Sequence, residues 1–597
     1  MYKKISDYGV IGNLHTIALI SNDGSIDYCS LPHIDSPTVF AGMLDDENGG
    51  FFCIQPSDSF QSNQEYVENT NLLTCLFTTK KGTAKLVDFM PLNVNDPSEI
   101  KTHLIHRCLK VTSGNIDFVL RLAARPLYAK DAPNTIIDKN IFRIKLRDSI
   151  FTFILKLKKY KIRKHNDGYI EINFNLKKNQ EAHFDFIYGA KKEKEIAFCP
   201  LEETKRFWLN WINNSKAGKA PLNSKYDAMV KRSLLTLKLL FFAPTGSMAA
   251  AATTSLPEAI GFKRNWDYRY SWIRDASFAL KVLFIYGHHA EAVKYEHWLY
   301  KTFKENGSNK LQIMYSLEGN SKLTEMELTH LKGYKNSKPV RIGNMAYNQN
   351  QWDIYGEVMD IALQLSDYAE KIEESLWPFY KEICNLAAEN WKKPDRGIWE
   401  IRGGDAHYVY SKVMCWLALD RGINIAKRHK LKAPFEKWNE IQYRIKKDII
   451  ENGFNKKLNS FVQSYGSEEV DASLLLLGLI GFLPIEDEKI QGTIDACRKY
   501  LMNDGFIRRY KASDNLEGTE GAFLLCNFWL VECLALSGNI QDAETILDRS
   551  VETTNSLGLF SEEYDPKNKL MLGNFPQAIS HIGFINAVTT LNQILQK

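Results

Sequence analysis

No run in the 597-residue sequence approaches the ~18 continuous apolar residues of a membrane span; the longest candidate, Leu474 to Leu483, is far too short. Paired cysteines are missing as well. Ten cysteines stand singly with no C-x-x-C spacing, so no disulfide framework and no metal site is expected, and the thiols read as reduced in a cytoplasmic protein. Charge of one sign is scarce: 76 basic against 71 acidic residues leave a net +5, too little to argue for a nucleic-acid partner. The start, Met1-Tyr-Lys-Lys-Ile-Ser-Asp7, has no apolar run behind its lysines, so a secretory signal is not expected either. What remains is 44% hydrophobic and 25% charged, an ordinary globular balance in a chain long enough for two or more domains.

Residues 1–195 alternate apolar and polar in short runs broken by turn chemistry. His15–Ile20 and Ser25–Leu31 flank Asn22-Asp23-Gly24, and Leu72–Thr79 and Ala84–Met90 flank Lys80-Lys81-Gly82. Further strands are predicted at 141–146, 150–157, 169–176 and 182–188, with Asn166-Asp167-Gly168 as another turn. Many short strands and hardly a helix predict an antiparallel sandwich. The lysine-rich run 156–164 reads as a solvated strand face or edge kept from aggregating by charge.

Residues 196–222 read as a linker with one short helix, 201–213. From 223 to 597 the period becomes helical, with twelve segments at 223–242, 274–286, 288–305, 353–370, 373–391, 408–428, 433–451, 470–483, 487–502, 519–536, 540–554 and 575–595. Loops after even-numbered helices are tight and those after odd-numbered ones are long. Short loops join antiparallel neighbours, so this alternation predicts an (α/α)6 barrel with its elaborated loops at one end. The even helices are apolar around most of their circumference and are expected to form the inner ring.

The unusual residues gather in the long loops. Arg264-Asn-Trp-Asp-Tyr-Arg-Tyr-Ser-Trp-Ile-Arg-Asp275 interleaves aromatic rings with guanidiniums and carboxylates. A pyranose has apolar C–H faces and a rim of hydroxyls, so stacking surfaces beside bidentate donors and acceptors suit it. Two carboxylates stand out. Glu400 follows Trp399, whose indole would help desolvate it and raise its pKa, and Glu562 lies in a second acidic cluster at the same end. A glycosidase needs two such groups flanking the scissile bond. The plain alternatives are a Glu400–Arg402 ion pair and a first-turn acid at Glu562.

Taken together, Ile11-Gly-Asn13, Gly24-Ser-Ile-Asp27, Pro32-His-Ile-Asp-Ser-Pro37, the stretch 264–275, Gly397-Ile-Trp-Glu400, Ser411-Lys-Val-Met-Cys-Trp416 and Gly573-Asn-Phe-Pro-Gln577 resemble glycoside hydrolase family 15, the glucoamylase-like enzymes, along almost the whole chain. The resemblance implies a β-supersandwich followed by an (α/α)6 barrel. It implies Glu400 as general acid and Glu562, rather than Glu563, as general base. Arg274 and Asp275 would grip the sugar, Tyr268 and Trp272 would line the pocket, and Arg509 would hold hydroxyls, with Trp399 and Tyr510 completing the lining.

The implied reaction is inverting, exo-acting hydrolysis that releases β-glucose from the non-reducing end of α-glucans or maltooligosaccharides, with no metal or organic cofactor. Fungal relatives carry an acid where this chain has Ile401. The departure leaves the leaving-group subsite open and makes α,α-trehalase the main alternative. A glycoside phosphorylase is a further rival, though it needs only one carboxyl acid. No appended starch-binding domain is seen, and nothing in the sequence excludes a homo-oligomer.

Overall fold

In this computed structural model, residues 2–100, 102–165, 169–189, 201–215, 224–307, 310–368, 373, 375–511, 518 and 520–596 are described. The spine of the first half is one long strand, His103–Ala123. Its first part pairs with Gly82–Phe89 and Glu181–Tyr188, its second with Phe51–Pro56 and Ile170–Lys177, all antiparallel. Four exposed residues, Thr112 to Asn115, mark the point where the strand leaves one layer for the other. Fifteen described strands are joined through it. Rings from the two layers meet between them: Phe40 lies 5.1 Å from Phe186, and Phe52 lies 5.5 Å from Phe153. This is the sandwich that the alternation predicted.

The turn signals sit where expected. Ile17–Ser21 pairs with Ser25–Ser30 around Asn22–Gly24, and Leu73–Thr79 pairs with Gly82–Phe89. The lysine-rich run ends in Lys161–Lys164, fully exposed and paired on one side only, an edge strand guarded by charge. Asn166–Gly168 lies outside the described residues. One charge is buried in the sandwich and fully answered: Arg107 forms two bonds to Asp88, at 2.8 and 3.0 Å, and donates to the carbonyls of Phe52 and Gly24.

Helix α1 spans Leu201–Asn213. The helical half that follows comprises α2 (Ser224–Leu240), α3 (Ile273–Ile285), α4 (His289–Glu305), α5 (Ile354–Tyr368), α6 (Trp377–Asn390), α7 (Val409–Arg428), α8 (Phe435–Gly453), α9 (Leu476–Leu479), α10 (Glu488–Leu501), α11 (Leu524–Leu536), α12 (Ile540–Val551) and α13 (Ala578–Leu595). Helices α3, α5, α7, α9 with its preceding turn, α11 and α13 pack side by side and close on themselves, while the others lie outside. The result is an (α/α)6 barrel. Burial follows the ring: α11 is buried along nearly its whole length, whereas α8 buries only Trp438, Ile445, Ile449 and Gly453.

One predicted helix is corrected. Residues 470–483 form only a 3-10 turn, Ala472–Leu475, and the single helical turn α9. Asp471 is extended and bridged to Tyr510, which delays the helix start. At the other end, a side chain on Gly478 would come within 2.7 Å of Ile485. The apolar run is a close-packed corner rather than a long helix.

Each inner helix starts at the end where the long loops gather. Those loops are stapled by short ladders: Thr254–Pro257 with Asn265–Asp267, Ser271–Trp272 with Met314–Tyr315, Met326–Glu327 with Arg341–Ile342, and Ala522–Phe523 with Glu563–Asp565 and Leu570–Leu572. The barrel is tied to the sandwich by Arg269, which donates to the Ser36 carbonyl at 2.8 Å and the Tyr128 hydroxyl at 3.0 Å. Among the described residues, no helix is long and apolar enough to cross a membrane.

Candidate active site

The aromatic–basic stretch divides its work between fold and pocket. Asp267 and Arg269 are fully buried and joined by two bonds of 2.8 and 2.7 Å, so they serve the seam with the sandwich. Trp266, Tyr268, Arg274 and Trp272 serve the mouth. Tyr268 and Trp272 stack with centroids 4.6 Å apart and planes tilted by 16°. In the first turn of α3, Arg274 donates to Asp275 at 3.0 Å and to the Ile398 carbonyl at 2.7 Å. That second bond anchors the turn carrying Glu400.

Glu400 sits in this turn with φ +56°, a left-handed conformation that costs a side-chain residue of order 1 kcal/mol. Its Oε1 accepts from the Trp272 indole at 2.8 Å and lies 3.6 Å from Arg274 Nη1. Burial raises its pKa, against the pull of Arg274 and the indole bond. The sequence pointed to the neighbouring indole of Trp399 as a ring that would raise the pKa; the indole that meets Glu400 is that of Trp272, and its bond lowers it. Trp399 instead donates to Asp471 at 2.9 Å, and Arg402 pairs with Glu325 at 3.0 Å rather than with Glu400.

Glu562 is fully buried and is not among the residues lining the cleft that Glu400 borders. Its Oε2 accepts from the Asn574 backbone at 2.9 Å, while its Oε1 has no hydrogen-bond partner among the described residues. Burial, and next the charge of Glu258, push its pKa upward. The neighbouring Glu563 differs sharply: one oxygen is held by Arg509 at 3.2 Å and the other by the Gly521 backbone at 2.8 Å. Glu563 has nothing free to offer a reactant. The two candidate acids share a neighbourhood, because Asp275 and Arg509 act on both, and both act on the buried hydroxyl of Tyr268.

Arg509 is gripped by three carboxylates: Glu520 at 2.5 Å, Glu258 at 3.1 Å and Glu563 at 3.2 Å. Its guanidinium also faces the Phe523 ring at 4.8 Å. Tyr510 lies 6.4 Å from Trp399, ring to ring, and both line the cleft with Glu400. All nine residues singled out from the sequence therefore fall at one end of the barrel.

Glu258 was missed. It lies in the first long loop, lines the same cleft, and keeps its Oε1 buried without a partner among the described residues while Arg509 holds the other oxygen. The only signal in the sequence was the lone Pro257-Glu258 step, which carries no periodicity. Around the rim, Arg402 stacks over the Trp266 ring at 4.1 Å beside Ile401.

Comparison with known proteins bears on the family and the fold. Residues 224–589 match the family model described as glycosyl hydrolases family 15, and residues 2–158 match one described as trehalase-like, N-terminal. The chain is 38% identical to a trehalase of Thermoplasma volcanium, covering 100% of this chain and 95% of that protein. It is 34% identical to a trehalase of Mycobacterium tuberculosis, covering 98% and 89%. Among solved structures, a bacterial glucoamylase complexed with acarbose superposes with a TM-score of 0.72 at 15% identity, over 99% of this chain and 95% of that one. At that identity the likeness speaks for the fold.

Proposed function

Because this chain belongs to glycosyl hydrolases family 15 and is a glycoside hydrolase, we propose that its substrate is α,α-trehalose rather than an α-glucan. The sequence reading placed glucoamylase first and trehalase second; the comparisons favour the second. The observation that carries this choice is the likeness to proteins named trehalase, at 34–38% identity through sandwich and barrel alike.

In this reading Glu400 is the general acid. Its raised pKa keeps the carboxyl protonated to higher pH, and it gives that proton to the glycosidic oxygen as the C1–O bond breaks. Glu562 is the general base. Its free Oε1 accepts a proton from a water that attacks C1 from the opposite face, while the Asn574 amide fixes the other oxygen. Arg274, Asp275 and the free oxygen of Glu258 hold hydroxyls of the bound sugar, and Tyr268 and Trp272 cover its apolar face. Arg509 holds Glu258 and Glu563 in place and presents charge to the pocket. Inversion at one of two α carbons yields one β- and one α-glucose.

The test is glucose release from trehalose, maltose and maltooligosaccharides, with the fresh anomers followed by NMR. We expect kcat/KM for trehalose to exceed that for maltose by at least ~100-fold, with equal α and β signals at the earliest times. Preference for maltooligosaccharides would restore the glucoamylase reading. Purely α product would overturn inversion. Glu400→Gln and Glu562→Gln should each cut turnover by about three orders of magnitude or more in a folded protein.

A further inference from the structure

We propose that His15, His33 and His103 form a binding site for a divalent transition-metal ion of the zinc class, placed at the seam between sandwich and barrel and remote from the sugar pocket. The three residues are far apart in sequence, which is why no ligand spacing revealed them. His15 lies between the strands Tyr8–Gly12 and Ile17–Ser21, His33 follows Ser25–Ser30, and His103 opens the long central strand. Their rings converge pairwise, with centroids 5.3 Å apart for His15 and His103, 6.1 Å for His33 and His103, and 6.3 Å for His15 and His33. One ring nitrogen from each lies within 4.8 Å of the other two.

Three neighbouring imidazoles cannot all carry charge. Burial first, with the adjoining rings adding to it, lowers His103 to about 4, and burial also lowers His15. Neutral rings are what a metal requires. The hydrogen bonding around them has the form found behind metal-bound histidines: His15 Nε2 lies 2.8 Å from the Pro97 carbonyl, which places the proton there and leaves Nδ1 as the lone pair. His103 Nδ1 is buried with no partner among the described residues. Glu318 Oε1 stands 3.6 Å from His33 Nδ1 and flanks the group without belonging to it. Three imidazole nitrogens, with water in the fourth position, suit a tetrahedral zinc-class ion better than magnesium or calcium.

Glu318 belongs to the helical half, as does Phe242, whose ring stands edge-on to His33 at 5.0 Å and His15 at 5.8 Å. Among the described residues two further groups of potential ligands occur: Cys108, Glu181 and His183, which is partly exposed, and Glu258, Glu520 and Glu563, which already holds Arg509 at its centre.

The experiment uses full-length protein stripped with chelator, equilibrated with zinc, desalted and assayed for bound metal, with melting followed with and without zinc. Wild type, His33→Ala, His103→Gln and His297→Asn, the last an exposed histidine outside any such cluster, are compared. We expect one ion per chain in wild type and His297→Asn, and loss of most of it in the other two. Zinc should raise the melting temperature of the first pair only, and cobalt in the same pair should show the visible absorption of a four-coordinate site. His33 is partly exposed, so its substitution leaves the fold intact. A folded wild type that retains no zinc, or undiminished zinc in both cluster variants, would overturn the proposal.

Discussion

Replacing Gly573 by alanine gives a direct test of how tightly the Glu562 carboxylate is held. Gly573 has φ +70°, and a Cβ added there would lie 2.5 Å from Glu562 Oε2 and 2.6 Å from Glu562 Cβ. Recovering an ordinary contact of 3.4 Å moves that oxygen by about 0.9 Å. A shift of about 1 Å at a catalytic group lowers turnover on the order of 100-fold, equivalent to about 2.7 kcal/mol on the barrier. The left-handed backbone adds a stability cost of about 1–2 kcal/mol, which must be separated from the displacement. Gly466 serves as control, because it has φ +76° and nothing within 4 Å of the place an added methyl would take, so Gly466→Ala meets the backbone cost without the clash. Steady-state trehalose hydrolysis and denaturant unfolding are measured on both. We expect similar loss of stability and a 100-fold deficit in kcat/KM only for Gly573→Ala. Activity within threefold of wild type would refute the claim that Glu562 needs this exact placement.

Three other outcomes are expected. Trp272→Phe removes an indole bond that favours ionised Glu400, so the pKa of Glu400 rises further; since the acid must be protonated, the basic limb of the kcat/KM profile moves to higher pH. Glu258→Gln removes the charge that, after burial, does most to raise Glu562; the base must be ionised, so the acidic limb moves to lower pH, and an unmoved limb would count against the assignment. Asp88→Asn leaves Arg107 charged and fully buried without its carboxylate, and unfolding titrations should show a loss of about 3–5 kcal/mol.

Much of the architecture could be read in advance because it rests on local chemistry. Asn22–Gly24 and Lys80–Gly82 mark hairpins by turn residues alone, and the change of hydrophobic period after 223 separates sandwich from barrel. Loop lengths then gave the ring, since alternating short and long connections place all elaborated loops at one end. Leu474 to Leu477 misled for a physical reason: an apolar run satisfies both a buried helix and a close-packed corner, and only tertiary contacts at Asp471 and Gly478 decide between them. Within the site, the two proposed acids stood out in sequence by their aromatic and acidic surroundings, although the ring that meets Glu400 is Trp272 rather than Trp399. Their partners were not, because Glu258 meets Arg509 across 251 positions and Trp272 meets Glu400 across 128. Partnership at that range has no local signature.

The difference between Glu562 and Glu563 separates the acid proposed to react from one that serves the structure. The two are adjacent, identical and equally buried. Both oxygens of Glu563 are engaged, as are Arg107 within the sandwich and Arg269 at the seam with their carboxylates, and such saturated groups hold loops, barrel and sandwich in register. Glu562 and Glu258 each keep one oxygen unanswered, and an unsatisfied buried acceptor costs about 1–3 kcal/mol. A fold settled by stability alone would close those gaps with the nearest donor. They stay open because the surrounding donors are already committed: Asn574 to one oxygen of Glu562, Gly521 and Arg509 to Glu563. The saturated network is therefore what prevents the free oxygens from collapsing onto the protein, and leaves them to the water and hydroxyls of a bound sugar.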